Sequence, residues 1–378
     1  MKRRLLYFHE GKSLYDDFFL DFLKDRYDVT FSTFSSSGAE RIRRTTGVRV
    51  RVMKDFPIEM ESHDTVRRLA LTPFRIPFFA AEVQEVDPDV TLACWATSYG
   101  FYASAAGVDP YGLLVWGSDV LIQPRYLPVR AFAESALRHA SRVFLDSDVQ
   151  ARAAIALGCR RSSIVEFPWI DLTPYFNLKV DREMAREYLR ADEGDIVVMW
   201  NRRHDWVYAP DVFVRAASLV LKEEPRVKFA MAGQGKLTPS LRELISSLGM
   251  GDSFRLLGWV DREDLARYTA ASDIYVSTSV SDGASASLLE AMALGLPAVV
   301  SDIPGNLEWI TEGSDGLVFR KGDPAALAQK ILKLARSRKE RESLGLAARE
   351  EVAKRADWKR NSQIFVEAIE GMARAPSH

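Results

Sequence analysis

Cysteine is nearly absent from this 378-residue sequence, which holds only Cys94 and Cys159. Two thiols cannot build a disulfide framework or a four-cysteine zinc site, and their scarcity fits a reducing compartment. A surplus of either charge sign is also missing, with 51 basic residues against 52 acidic ones. The charges are spread over both halves, so neither half is a basic platform for nucleic acid. No histidine or cysteine spacing suggests a metal. Repeats are absent, and the one biased tract is a small serine loop at Ser35-Ser36-Ser37. Long apolar runs are scarce too. Leu5-Leu6-Tyr7-Phe8 is followed at once by His9, Glu10 and Lys12, too soon for a signal-peptide core. Val90 to Val108 carries no charge and nominally reaches spanning length. Its Thr, Ser, Tyr and two glycines favour a buried strand followed by a small-residue helix. The absences together predict a soluble, cytoplasmic protein. The 47% hydrophobic content supplies real cores, which excludes intrinsic disorder.

What is present is alternation. Short apolar runs at 4–9, 28–33, 48–53, 89–94, 112–116, 142–146 and 163–166 read as strands. Helical patterns at 14–26, 64–86, 97–107, 128–140 and 148–157 separate most of them. The pattern restarts after Pro168-Trp169-Ile170-Asp171, with strands near 196–200, 226–232, 253–257, 273–277, 297–300 and 316–319. Such alternation predicts parallel sheets covered by helices on both faces. The fold class is therefore α/β, with two doubly wound Rossmann-like domains at 1–172 and 173–357. Helical periodicity continues through 323–336 and 338–355. Asp357 can then cap a final helix bearing Trp358, Ile364, Phe365 and Ile369, which needs a surface to cover. The first domain is a candidate, so 358–378 is assigned to it as a crossover. Open α/β sheets bind ligands at the carboxyl ends of their strands, and two such domains make an interdomain cleft.

The most informative segment follows the strand ending at Ser277. It runs Ser279-Val280-Ser281-Asp282-Gly283-Ala284-Ser285-Ala286-Ser287-Leu288-Leu289-Glu290-Ala291-Met292, a small-residue loop opening into a helix. Amides of such a loop and of a first helical turn favour an anion. Asp282 and Glu290 are two carboxylates in the same place. They cannot be there for phosphate, but they can accept hydrogen bonds from sugar and ribose hydroxyls. A Ser-capped helix with an acidic residue near its start explains the pattern equally well.

The segment resembles the acidic-x7-acidic motif of family 4 glycosyltransferases, retaining enzymes of the two-domain GT-B fold. The likeness continues through Ala291 to Asp302, Gly305-Asn306, Glu308-Trp309-Ile310 and Gly313–Val318. Upstream, Ala232-Gly233-Gln234-Gly235 is similar to the family's glycine loop, and Phe254–Val260 to its base-contacting strand-loop. Trp116-Gly117-Ser118-Asp119 stands where an acceptor-side motif is usual. The resemblance implies that Glu290 holds ribose hydroxyls and Asp282 hydroxyls of the donor sugar. It implies that Gly283, Ala284, Ser285, Ala286 and Ser287 meet the sugar and diphosphate, with Gly233, Gly235 and Val260 also on the donor. The family's diphosphate-binding Arg corresponds to Arg203. The Lys five residues later is Tyr208 here, and Asp282 is shorter than the usual glutamate. Arg202 can supply the second charge, or Tyr208 a neutral hydrogen bond.

The expected activity is therefore retaining transfer of a sugar from a nucleotide diphosphate sugar to an unidentified acceptor. The expected catalytic residues are Arg203, Asp282 and Glu290. His9, Gly11 and Asp119 are placed on the acceptor side. No cofactor and no metal are expected, the nucleotide sugar being a co-substrate, and the resemblance implies a front-face mechanism without a protein nucleophile. An epimerase of the same fold and a catalytically degenerate sugar-nucleotide-binding subunit are the alternatives. A nicotinamide enzyme is disfavoured, because Gly233-Gln234-Gly235-Lys236 lacks the third glycine of the dinucleotide fingerprint. Asp146-Ser147-Asp148 reads as a strand end and helix cap rather than a metal pair. The basic-aromatic stretch Arg67-Arg68, Phe74-Arg75 and Phe78-Phe79 reads chiefly as one helix's core face. Contact with a lipid acceptor or with the inner membrane face is its alternative reading.

Overall fold

The computed structural model describes residues 2–54 and 65–373. The chain divides into two compact units, Met1–Phe167 with Ser362–His378, and Pro168–Asn361. The division falls a few residues before the boundary expected at 172, at the Pro168 that follows the last strand of the first sheet.

The first unit is built on β1 (Arg4–Phe8), β2 (Asp28–Thr33), β3 (Arg49–Val52), β4 (Val90–Cys94), β5 (Tyr111–Leu114), β6 (Arg142–Leu145) and β7 (Ile164–Glu166). Their order is β3-β2-β1-β4-β5-β6-β7, and every pairing is parallel. The second unit carries β8 (Ile196–Asn201), β9 (Val227–Ala232), β10 (Phe254–Gly258), β11 (Ile274–Ser277), β12 (Ala298–Ser301) and β13 (Gly316–Phe319). They are ordered β10-β9-β8-β11-β12-β13, again all parallel. Strand order reverses at β1/β4 in one sheet and at β8/β11 in the other. Central strands such as β4 and β11 are buried at every position, as helices on both faces require.

Register decides what stands at the second switch point. Ile274 pairs with Val198 and Tyr275 with Met199. The segments after Asn201 and after Ser277 therefore leave the sheet side by side.

The uncharged stretch at 90–108 forms β4 and a short helix, Gly100–Ala105, joined by an irregular turn. No described helix is long and apolar enough to cross a membrane. The serine tract is not a loop: Ser35 N-caps the helix Ser36–Thr45 and accepts from Gly38 N–H. That helix buries only Gly38, Ala39 and Ile42, a stripe with a single large apolar side chain. In the basic-aromatic stretch, Phe79 is fully buried and Phe74 is exposed; the side chains of Arg67 and Arg68 lie outside the described residues.

The last helix, Trp358–Ala373, starts in the second unit and ends in the first. Its Phe365 is fully buried, with ring centroids 4.9 Å from Phe144 and 5.4 Å from Phe19. This helix seals one face of the first sheet. Phe365→Ala should therefore lower stability by about 3–5 kcal/mol, read as a lower urea midpoint. The 38%-exposed Ile364 should tolerate alanine within about 0.5 kcal/mol. Equal losses at both positions would mean that the helix does not dock through Phe365.

Candidate functional site

Two consecutive arginines leave β8, and they part company. Side chains of successive residues leaving a strand project to opposite sides. Arg202 turns to the loop after β11, where it donates to Asp282 Oδ2 and to Ser285 Oγ, each at 2.6 Å. Its guanidinium lies 4.3 Å above the Tyr208 ring. Burial works against its charge, yet Asp282 together with Tyr208 and Tyr275 more than offsets that, so Arg202 stays cationic. Arg203 turns outward, 60% exposed, and faces Asp205 at 3.6 Å. The cation that the structure brings to the loop is thus Arg202, not the expected Arg203.

Asp282 is nearly buried, and burial raises its pKa against the pull of Arg202. Its shorter side chain is spent on the arginine. Ser285 occupies the N-cap of the helix Ala286–Ala293, but its hydroxyl makes no cap hydrogen bond. It accepts from Arg202 instead. Hence the N-cap side chain does not close that first turn. Ser287 leans back onto the Asn201 carbonyl at 3.4 Å. Gly283 lies against Gly305, where an added Cβ would come within 2.5 Å of the carbonyl oxygens of Asp282 and Gly283. Gly305 is what lets the segment after β12 close over the loop.

Glu290 is half-buried, and desolvation raises its pKa. Tyr175 donates to its Oε1 at 2.6 Å, and Arg262 stands 3.8 Å from the same oxygen. Arg262 Nε donates to the Tyr175 hydroxyl at 3.2 Å. Sequence reasoning missed both partners. Arg262 lies two residues beyond Val260 and was within sight, whereas Tyr175, from the joining segment, left no motif.

Gly233 and Gly235 act on the chain beside them. A Cβ on Gly233 would meet the Arg202 carbonyl at 2.1 Å, and one on Gly235 the His204 carbonyl at 2.3 Å. Gly233 also adopts φ +119°, open only to glycine. These glycines hold the 202–204 segment in place by letting two backbones touch. His204 is fully buried there, with Nδ1 2.9 Å from Thr238 Oγ1 and burial lowering its pKa. Its Nε2 and the Oδ1 of Asn201 are buried without a hydrogen-bond partner. Val260 is half-buried beside the 72%-exposed Trp259.

In the first unit, His9 follows β1, stacks on Trp116 at 4.9 Å and has Nδ1 2.5 Å from the buried Asp16. Gly11 takes φ +74°, and its carbonyl accepts from Arg41. Asp119 is fully buried and accepts from the amides of Ala96 at 2.8 Å and Trp116 at 3.0 Å. It braces the turn after β4 rather than facing solvent. Asp148 opens a helix and pairs with Arg152. Among the described residues no group of three or more His, Cys, Asp or Glu could hold a metal ion.

Both units are similar to known proteins. Residues 181–351 match the family model described as glycosyl transferases group 1, and residues 4–147 match glycosyl transferase 4-like. A D-inositol 3-phosphate glycosyltransferase of Geodermatophilus obscurus is 30% identical over 223 residues, covering 56% of this chain and 48% of that protein. The chain spans about half the length of the curated relatives it matches. Among solved structures, HepE of Anabaena in complex with UDP superposes with a TM-score of 0.81 at 20% identity, covering 98% of this chain and 100% of its own. Sucrose-phosphate synthase of Thermosynechococcus elongatus gives 0.80 at 14% identity, covering 98% and 99%. Both likenesses concern the fold, two parallel-sheet Rossmann-like domains of GT-B type.

Asp119 carries a pH signature. Burial raises its pKa to about 6 from an ordinary 3.8, so between those values the folded chain binds more protons than the unfolded one. Its contribution to stability must then fall as pH rises through that window. The change amounts to about 3 kcal/mol at most. Asp119→Asn should flatten the stability profile between pH 4 and 6 in urea titrations. An unchanged slope would remove Asp119 as its source.

Proposed function

We propose that this chain, whose residues 181–351 match the group 1 glycosyl transferase model and residues 4–147 the glycosyl transferase 4-like model, transfers a sugar from a nucleotide diphosphate sugar to a hydroxyl acceptor with retention. The bond from the anomeric carbon to the β-phosphate oxygen breaks, and the acceptor oxygen bonds to that carbon. The acceptor's proton leaves, and the nucleoside diphosphate departs carrying the negative charge.

One observation carries this reading. Arg202 is fixed by Asp282 and Ser285 beside a helix start that no side chain caps, at the switch point of a parallel sheet. A leaving diphosphate needs fixed positive potential, and preorganised donors supply it without reorganisation. Glu290, held by Tyr175, suits ribose hydroxyls. Asp282 serves the reaction through Arg202, and Tyr208 supports the guanidinium from below. Fixed protein charge takes the place of a metal. HepE binds UDP, which makes uridine the first base to test.

With UDP-glucose as the first donor, Arg202→Ala should lower kcat together with donor affinity, a combined loss of about 10²–10³-fold. Arg202→Lys should fall between, because it keeps the charge but loses the planar fork. Arg203→Ala should stay close to the parent. Melting temperatures recorded alongside separate lost folding from lost chemistry. A larger defect in Arg203→Ala than in Arg202→Ala would transfer the phosphate role to Arg203.

Turnover should also persist in EDTA. Loss of turnover on chelation, restored by magnesium or manganese, would sink the metal-free reading.

A further inference from the structure

The exit of β8 carries a polar group that neither the fold nor the chemistry above uses. Asn201 is the last residue of that strand and is only 8% exposed. Its Oδ1 is sealed from solvent without a hydrogen-bond partner. Its Nδ2 bonds to nothing among the described residues either. A buried amide left unpaired costs free energy, whereas an apolar side chain of the same shape avoids that cost. Buried polar groups are paired in the great majority of cases, and an exception calls for an explanation. Folding does not supply one here.

Strand alternation places the carboxamide. Val198 and Trp200 of β8 pack on one face with Phe213, and Val197 and Met199 pack on the other. Asn201 continues the second row. Met199 pairs with Tyr275 of β11, and Tyr275 packs with Leu288 and Leu289 of the helix Ala286–Ala293. The carboxamide therefore stands on the face that this helix covers, at the end where the helix begins. Ser287, in the first turn, donates to the Asn201 carbonyl at 3.4 Å. The N-cap of that helix, Ser285, makes no cap hydrogen bond and is spent on Arg202.

Three features of different origin thus converge: a guanidinium, a helix start with its partial positive charge, and a carboxamide with two unused N–H donors. All three suit negative charge. Asp282 already takes one of the guanidinium's donors and Ser285 another, so a diphosphate has need of further donors. The sealed end of the carboxamide is its oxygen, which leaves the N–H groups for what enters. We propose that Asn201 is a further binding residue of the transfer site, its Nδ2 donating to a diphosphate oxygen of the nucleotide. The assignment rests on the transfer reading above and adds an uncharged donor to the charge of Arg202.

Calorimetric titration of the full chain tests it, with UDP, GDP, ADP and inorganic pyrophosphate as probes and a urea midpoint for each variant. Asn201→Leu keeps roughly the size of the side chain and removes both polar ends. It should not lower the urea midpoint. The nucleoside diphosphate that the parent binds should bind this variant about tenfold more weakly, as for a lost hydrogen bond to a charged group. Asn201→Asp keeps the shape but sets a carboxylate toward the phosphates, and it should lose more. Where Asn201→Leu is less stable, the order of the two affinities decides. The proposal is overturned if either variant binds as tightly as the parent, or if Asn201→Asp binds no more weakly than Asn201→Leu. Failure of both variants to fold overturns it too, since the carboxamide would then serve the fold. If the parent binds pyrophosphate but no nucleoside diphosphate, and both variants weaken pyrophosphate in that order, the transfer reading falls and Asn201 stands as an anion donor. A parent that binds none of the four probes overturns both.

Discussion

A parallel strand buried on both faces can present chemistry only at its ends. In each sheet here the central strands are sealed by helices, so polar work is exported to the carboxyl edge. There the reversal of strand order opens a gap between neighbouring connections. At β8 and β11 the register brings the two exits abreast. That single constraint explains why residues 80 positions apart, Arg202 and Asp282, meet within hydrogen-bond reach. It also explains the glycines: the exit of β8 is crowded by the loop after β9, and only residues without a Cβ let the two backbones approach so closely.

The Arg202–Asp282 pair is a poor device for stability. Two charges taken largely out of water recover much of their desolvation only if their remaining hydrogen-bonding capacity is met, and an apolar replacement is often no less stable. Arg202 meets part of its capacity with Ser285 and part with the Tyr208 ring. It lies beside an uncapped helix start, whose partial charge is of the same sign. Concentrating positive potential at one point while adding little to folding makes sense if an anion is to complete the arrangement. The same logic applies to Glu290, which Tyr175 and Arg262 hold in an orientation that a lone buried carboxylate would not keep.

Much of the fold was legible because hydrophobic alternation and small-residue punctuation are local properties. The strands of both sheets, the final helix and the helix start at Ser285 follow from spacing alone. The helix Ser36–Thr45 escaped because its apolar stripe is two or three residues wide. The sequence pointed to both motif carboxylates and to the arginine pair, but not to which arginine turns toward the loop. Whether Arg202 or Arg203 enters the site depends on the parity of a side chain leaving a strand, and a shift of one residue reverses it. Tyr175 reaches Glu290 across 115 positions and belongs to no local pattern. His9 directly follows β1 and Asp119 lies in the short helix after β5, yet their side chains face inward, onto Asp16 and onto two backbone amides.

That inward turn has a consequence for the first unit. Asp119 sits where a substrate-facing carboxylate was expected, but its two amide bonds hold the chain around Trp95 in a conformation that a tryptophan would not adopt unaided. Strain of this kind persists only when surrounding contacts over-determine it. Here a buried carboxylate and the Gln123 oxygen do so from separate elements. Asp119, fully buried, thereby fixes the turn that carries Thr97, Ser98 and Tyr99. The two units thus place a buried or nearly buried carboxylate differently: Asp282 faces the Arg202 guanidinium, whereas Asp119 holds two backbone amides.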